Sequence, residues 1–220
     1  MKARKPPAPI GRPRAFDVDE ALDRALQVFW RKGYEGASLP DLTEAMGINR
    51  PSLYLAFGNK EALFRKAIDR YAEGPAAYVR EALEAPTARA VALRLLHGAV
   101  DLLSDPRHPP GCLVVQAALS CGEAAEPIRQ ELVARRKAFE AAIRQRFERA
   151  ISEGDLPTDA NAADLARFIA TVNVGMAVQA AGGASRDELQ RVARIALRSW
   201  PEARRGHETR AGAARRRRLV

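Results

Sequence analysis

An all-α fold is the reading on which three features of the 220-residue sequence converge. Apolar residues recur at spacings of three and four along most of the chain, no run alternates with period two over a strand's length, and Ser, Asn, Gly and Pro fall where helices should start and stop. No repeat of fixed period appears. The length suits two units, each with its own core: a small N-terminal one over residues 16–72 and a larger one over 73–200. Residues 1–15 and 201–220 read as tails without a fold of their own, the first too rich in Pro and the second without an apolar period.

Charge is distributed unevenly between tails and body. The formal net charge is +9, yet residues 1–16 carry Lys2, Arg4, Lys5, Arg12 and Arg14 without an acid, and residues 201–220 carry seven Arg against Glu202 and Glu208. The two tails therefore hold +10 between them and the body is at −1. Attraction to a polyanion must come from a few placed cations and the tails, not from a broadly basic face. Within the first tail, Gly11-Arg12-Pro13-Arg14 resembles the core of an AT-hook, a segment narrow enough for the minor groove over A·T pairs, where the potential is most negative. The plain alternative is a solvated arm that adds affinity without sequence preference. Neither tail has the apolar stretch of a signal peptide, so a cytoplasmic protein is expected.

Residues 38–64, SLPDLTEAMGINRPSLYLAFGNKEALF, carry the layout of a helix-turn-helix. Ser38 stands as N-cap with Asp41 three residues on, while Leu39, Leu42 and Met46 share one face. Gly47 stops this helix, Ile48 plugs the turn, and Asn49 caps a second helix with Pro51 in its first turn. Leu53 and Phe57, four apart, must face inward, which leaves Arg50, Pro51, Ser52, Tyr54, Leu55 and Ala56 toward solvent or a ligand. Asn59 then caps a third helix, placing Lys60 beside free amides where an anion such as a DNA phosphate fits. Any three-helix unit can contain a helix, a Gly and another helix. Here the shortness of the helices, the exposed mixture of Arg, Ser and Tyr, and the lysine at a capped helix start favour duplex DNA as the partner.

Beyond Tyr71 the chain reads as longer helices. Gly74-Pro75 breaks the connecting helix, residues 87–103 form another, and SDPRHPPG at 104–111 interrupts the pattern. Helices follow over 112–120, 127–153, 161–181 and 185–200, the last opened by a capping box from Ser185 to Glu188. Residues 168–185 carry no charge, but Thr171, Asn173, Gln179 and the Gly182-Gly183 end make them too polar and short for a membrane span. A helix apolar on most sides needs partners on both faces, and Leu189, Val192, Ala193, Ala196 and Trp200 give the next helix a matching stripe. These two helices are the expected dimer interface, a four-helix bundle with the same pair from a second subunit.

Catalytic chemistry finds little support. Three His and two Cys are scattered, with no Ser-His-acid arrangement, no enzyme is read, and no cofactor or metal is expected. A metal site from His97, His108 and Cys112 is the weak alternative, since Pro109 and Pro110 forbid a shared helical face. Cys121 reads as a small buried residue. Cys112 follows Pro-Pro-Gly at a helix start, where free amides can activate a thiol. A thiol-redox protein or an enzyme using Cys112 is thus the rival class.

Three runs carry a family resemblance: FWRKGYEGAS at 29–38, GINRPSLY at 47–54 and FGNKEAL at 57–63. With the surrounding residues 16–71, about a quarter of the chain, they resemble the DNA-binding domain of the tetracycline-repressor (TetR) family. The resemblance implies a homodimer whose small N-terminal domain binds an operator and whose larger helical domain binds an inducer and dimerises. It implies phosphate contacts from Ser38, Tyr54 and Lys60, with Arg50, Pro51, Ser52 and Leu55 nearest the bases. Leu55 and Ala56 depart from the larger or polar residues of some relatives, so apolar contact with thymine methyls should stand in for part of the hydrogen-bond readout. The PGCL segment around Cys112 also resembles one found in such regulators, some of them thiol-responsive. A repressor released by a small molecule is the leading function, with an activator of the same fold as the alternative. The inducer is expected among helices carrying His97, Cys112, Gln116, Phe139, Asn173 and Met176.

Overall fold

The computed structural model describes residues 16–120, 122 and 125–201. The described residues form ten helices and no strand, in the order α1 Val18–Gly36, α2 Leu39–Met46, α3 Arg50–Phe57, α4 Lys60–Glu73, α5 Tyr78–Leu83, α6 Ala88–Leu103, α7 Leu113–Ser120, α8 Glu126–Ser152, α9 Ala162–Ala181 and α10 Arg186–Arg198. Arg12, Arg14, Cys121 and the C-terminal Arg-rich run lie outside the described residues.

Local chemistry sets the helix starts. Side chains of Asp17, Ser38, Asn49, Asn59, Thr87, Asn161 and Ser185 each accept a backbone N–H from the first turn that follows, satisfying donors that have no partner inside the helix. The capping boxes are complete at both Ser38–Asp41 and Ser185–Glu188. Helix α5 is the element the sequence did not announce. Its N-cap position, Ala77, offers no side-chain cap, and it is held by packing: the ring of Tyr78 lies on α6 where Gly98 leaves room, 2.2 Å from where a Cβ would stand.

Two cores result. The larger contains Val91, Leu95, Leu96, Val100, Ile143, Phe147, Ile169, Met176, Leu189, Ala193 and Trp200, from α6, α8, α9, α10 and the residues after them. The smaller is built on Phe29, Trp30, Leu42, Leu53, Phe57, Leu63, Phe64, Ile68 and Tyr71. It does not stop at α4: Leu102, Leu113, Ala117, Ile128 and Leu132 complete it. Helix α7 thus puts Leu113 and Ala117 into the small core and Val115 into the large one.

Polar contacts reinforce that joint. The indole N–H of Trp30 donates to the Gly111 carbonyl at 3.0 Å, and the ring stacks on His108 and meets Tyr71 edge-on. Tyr71 donates its hydroxyl to the Sγ of Cys112 at 3.3 Å. Past the end of α7, the Gly122 N–H donates to the Glu35 carboxylate at 2.9 Å. A chain of five charges then ties α4 to α8, running Glu61–Arg65–Glu131–Arg135–Asp69 with separations of 2.5 to 2.9 Å. Partly exposed pairs of this kind contribute about 0.2–1 kcal/mol each, so the shared apolar core, not the ion network, is the main fastening.

Candidate DNA interface and effector region

The turn between α2 and α3 rests on Gly47 at φ 68° and ψ 29°, a left-handed conformation that a side chain disfavours. Its N–H returns to the Glu44 and Thr43 carbonyls and closes α2. At the other end of α2, Asp41 accepts from the Ser38 amide at 3.0 Å and the Ser38 hydroxyl at 2.7 Å, and pairs with Lys32 at 2.7 Å. The Lys32 ammonium, followed by the Ser38 hydroxyl and amide, holds the Asp41 carboxyl down at about 2. Being depressed in the fold, this carboxylate supports the cap above its ordinary titration range and loses that role only as pH falls toward 2.

Leu53 and Phe57 anchor α3 in the small core, leaving Arg50, Pro51, Tyr54 and Leu55 exposed. Leu55 is 81% accessible and Tyr54 46%. Ser52 is half-buried, its amide donating to Asn49 Oδ1 at 2.9 Å. Ala56, read from the helical wheel as outward, is instead half-buried and packs on the small core. A helical wheel of α3 alone does not include the other helices of that core.

Lys60 opens α4, where its Nζ donates to the Glu35 carbonyl at 3.5 Å and sits 4.6 Å from the centre of the Tyr34 ring. One cation was missed in the sequence. Arg24 on α1, paired with Glu20 at 2.5 Å, brings its Nη1 within 3.4 Å of where a Cβ on Gly47 would stand. An i, i+4 Glu–Arg pair is legible in sequence, but that it reaches the helix-turn-helix turn is a tertiary fact.

The comparisons with known proteins decide the family. The description "Bacterial regulatory proteins, tetR family" matches residues 21–67, and "Tetracyclin repressor-like, C-terminal domain" matches residues 91–196. The chain belongs to the TetR family. It is 34% identical over 194 residues to the HTH-type transcriptional repressor ComR of Escherichia coli K12, covering 87% of this chain and 92% of ComR. Identity to the uncharacterised HTH-type transcriptional regulator YezE of Bacillus subtilis 168 is also 34%, over 82% of this chain and 94% of YezE. Among solved structures, a cysteine-substituted TetR family transcriptional regulator, CifR, complexed with 26-bp operator DNA, is 48% identical with a TM-score of 0.83, covering 86% of this chain and 100% of CifR. This TetR-family protein is a helix-turn-helix transcriptional regulator.

Of the residues named for the effector, Met176 is buried in the large core, and Phe139 and Cys112 pack against it. Gln116 donates to the Pro110 carbonyl at 2.7 Å, spanning the loop that precedes α7. Asn173 is half-buried on α9. His97 is not brought into this group: it is exposed on α6, whose inward face is Val91, Ala92, Leu95, Leu96, Ala99 and Val100. Two concavities, of about 300 and 240 Å³, lie on α8 at Arg129, Val133 and Lys137 and between α1 and α2 at Val28, Lys32 and Glu44; none of the six effector residues lines either.

The apolar stripe expected to pair two subunits divides in the regulator. Leu189, Ala193, Ala196 and Trp200 are buried within the subunit, because α10 turns this side toward α6 and α9. Phe168, Val178, Val192 and Ile195 remain exposed, with Gly175 open between them on α9. Among the described residues, no helix is long and apolar enough to cross a membrane, and no group of three or more His, Cys, Asp or Glu is placed to hold a metal.

Proposed function

We propose that the protein is a homodimeric repressor that binds a palindromic operator and is released by a small-molecule inducer. The observation that carries the DNA-reading part is the outward face of α3, where Arg50, Tyr54 and an 81% accessible Leu55 stand side by side on a helix anchored by Leu53 and Phe57. A large apolar side chain held out beside an arginine suits the major groove, where Leu55 meets thymine methyls and Arg50 reaches base edges. Pro51 and Ser52 complete the base-facing turn. Tyr54, Lys60 and Ser38 take phosphates, Ser38 by redirecting a hydroxyl now given to Asp41. CifR, the relative with operator DNA bound, supports the same use here.

The arm with Arg12 and Arg14 enters the flanking minor groove. Phe168, Val178, Val192 and Ile195 pair with a second copy, which places two recognition helices on two half-sites. The body from 73 to 200 holds the inducer near Cys112, Gln116, Phe139, Asn173 and Met176, and the protein works in the cytoplasm. A second reading, thiol control through Cys112, is favoured by its hydrogen bond with Tyr71 of α4 at the joint between the two cores.

Selection from a random duplex pool tests the proposal, using the full chain beside one lacking residues 1–14. The expected yield is an inverted repeat with half-site centres one helical turn, roughly 34–36 Å, or a multiple of it apart, with A·T-rich flanks enriched only by the full chain. A pool that acquires no shared sequence would reject operator reading, and flanks independent of the arm would reject its minor-groove role.

A further inference from the structure

Among the described residues, four side chains inside the larger unit bury a nitrogen or oxygen without a partner: His108 at Nδ1, Arg146 at Nη1, Arg136 at Nε and Asn173 at both polar atoms of its amide. Arg136 lies on the inward stripe of α8, between buried Leu132 and Ile143. Its Nε is buried without an acceptor. Arg129, Arg135, Arg144 and Arg149 of this helix meet carboxylates, and Arg146 gives its Nη2 to the Ala85 and Pro86 carbonyls while its Nη1 has no partner. Arg136 pairs with no carboxylate among the described residues. Asn173 sits in the inward stripe of α9 between Ile169 and Met176, and both its Nδ2 and its Oδ1 are buried and unbonded.

Arg136 and Asn173 stand on helices that pack on each other. Helices α8 and α9 run antiparallel, and Arg167 pairs with Glu140 at 3.1 Å, which sets their register. Stepping back four residues from Glu140 reaches 136, and stepping on six from Arg167 reaches 173. At 1.5 Å per residue the two steps differ by about 3 Å, so with the reach of the Arg167 and Glu140 side chains the two positions lie within about two helical turns along the axis. Phe139 and Met176 supply apolar surface beside them. Helix α7 packs on both α8 and α9, and the residues flanking it, Gly111 and Cys112 before and Gly122 after, are bonded to Trp30, Tyr71 and Glu35 of the DNA-reading unit.

Buried polar groups are nearly always paired, and leaving them unpaired destabilises the fold. A guanidinium selects planar anions by parallel N–H bonds. The Asn amide adds one donor and one acceptor. We propose that Arg136 and Asn173 form the polar end of the inducer site and that the inducer is a small organic acid: its carboxylate is held by the Arg136 guanidinium and Asn173 Nδ2, a neighbouring O–H or N–H donates to Asn173 Oδ1, and its apolar body lies against Phe139 and Met176. This rests on release by a small molecule. Because α7 covers both helices, an occupant that spreads α8 from α9 displaces the element that positions α1 and α4.

The test uses the full chain with its selected operator. Salicylate and 2-hydroxyhexanoate are compared with salicyl alcohol and 1,2-hexanediol, by thermal shift and by operator affinity, in wild type, Arg136→Met and Asn173→Leu. At least one acid should raise the melting temperature and weaken operator binding tenfold or more, while the neutral analogues do neither. Each variant should melt higher than wild type without ligand, by about 2 °C or more, keep operator affinity within twofold and lose the acid response. The assignment fails if neutral analogues act as strongly as the acids, if neither acid binds, if the variants respond like wild type, or if both variants melt lower. Acid binding at Arg136 that leaves operator affinity intact would keep the site and reject release. Wild type that binds no operator would reject the regulatory reading and leave the site to the thermal shift.

Discussion

Arg50 and Lys60 are both cations near the exposed face of α3, but they are held differently. Arg50 is exposed at the first turn of α3, where a guanidinium can reach base edges. Lys60 is tied back to the Glu35 carbonyl and the Tyr34 ring, a geometry suited to a fixed point charge for a phosphate. Arg50→Ala should therefore cost about 1–3 kcal/mol on the operator and relax preference at one position, whereas Lys60→Ala should weaken all sequences alike and lower the salt slope by about one. Equal losses on operator and random duplex for Arg50→Ala, read in a titration at several salt concentrations, would reassign it to the backbone. At this scale the sequence was most informative for caps, because Ser38, Asn49 and Asn59 act on amides three residues away. It was least informative for Ala56, His97 and Arg24, whose surroundings come from other helices.

Helix α7 is where sequence and structure part most at the level of elements. Its existence was legible from the Pro-Pro-Gly break before it, and its membership was not. A short helix whose apolar side chains are Leu, Val and Ala fits either core, and only the packing reveals that Leu113 and Ala117 join the small one while Val115 joins the large. The same ambiguity hid the reach of the smaller core into α8. A chemical change at the start of α7 should consequently be felt by both units. Burial pushes the Tyr71 hydroxyl well above its ordinary range, so it stays a donor to Cys112. Losing that bond alone, worth about 0.5–1.5 kcal/mol, moves an equilibrium by roughly tenfold at most, while an adduct adds steric exclusion between α4 and α7. N-ethylmaleimide, which adds the thiol across its double bond with no leaving group, should lower operator affinity at least tenfold in wild type and leave Cys112→Ser unchanged. If labelled wild type retains its affinity, or if Cys112→Ser loses as much, Cys112 serves packing only.

Over the whole molecule the sequence yields an all-helical body near neutrality with positive tails, and the architecture follows from helix periods and breaks. What it could not separate was the side of α10 that packs within the subunit from the side left open, since Ala193 and Val192 are adjacent apolar residues and both suit an interface. The distinction changes the decisive experiment. Ala193 has no accessible surface, so an acid there would bury a charge and damage the subunit itself. Ile195 is 65% accessible and Val192 41%, so within one subunit an acid at 195 stays in water. In a dimer closed through this face, the same acid lies opposite its symmetry mate, because a two-fold interface brings like patch to like patch. Ile195→Asp should keep its helix content, sediment as a monomer at micromolar concentration where wild type sediments as a dimer, and bind the operator at least tenfold more weakly, each monomer having one recognition helix for two half-sites. A variant that remains dimeric with full operator affinity would move the interface off the Phe168, Val178, Val192 and Ile195 face.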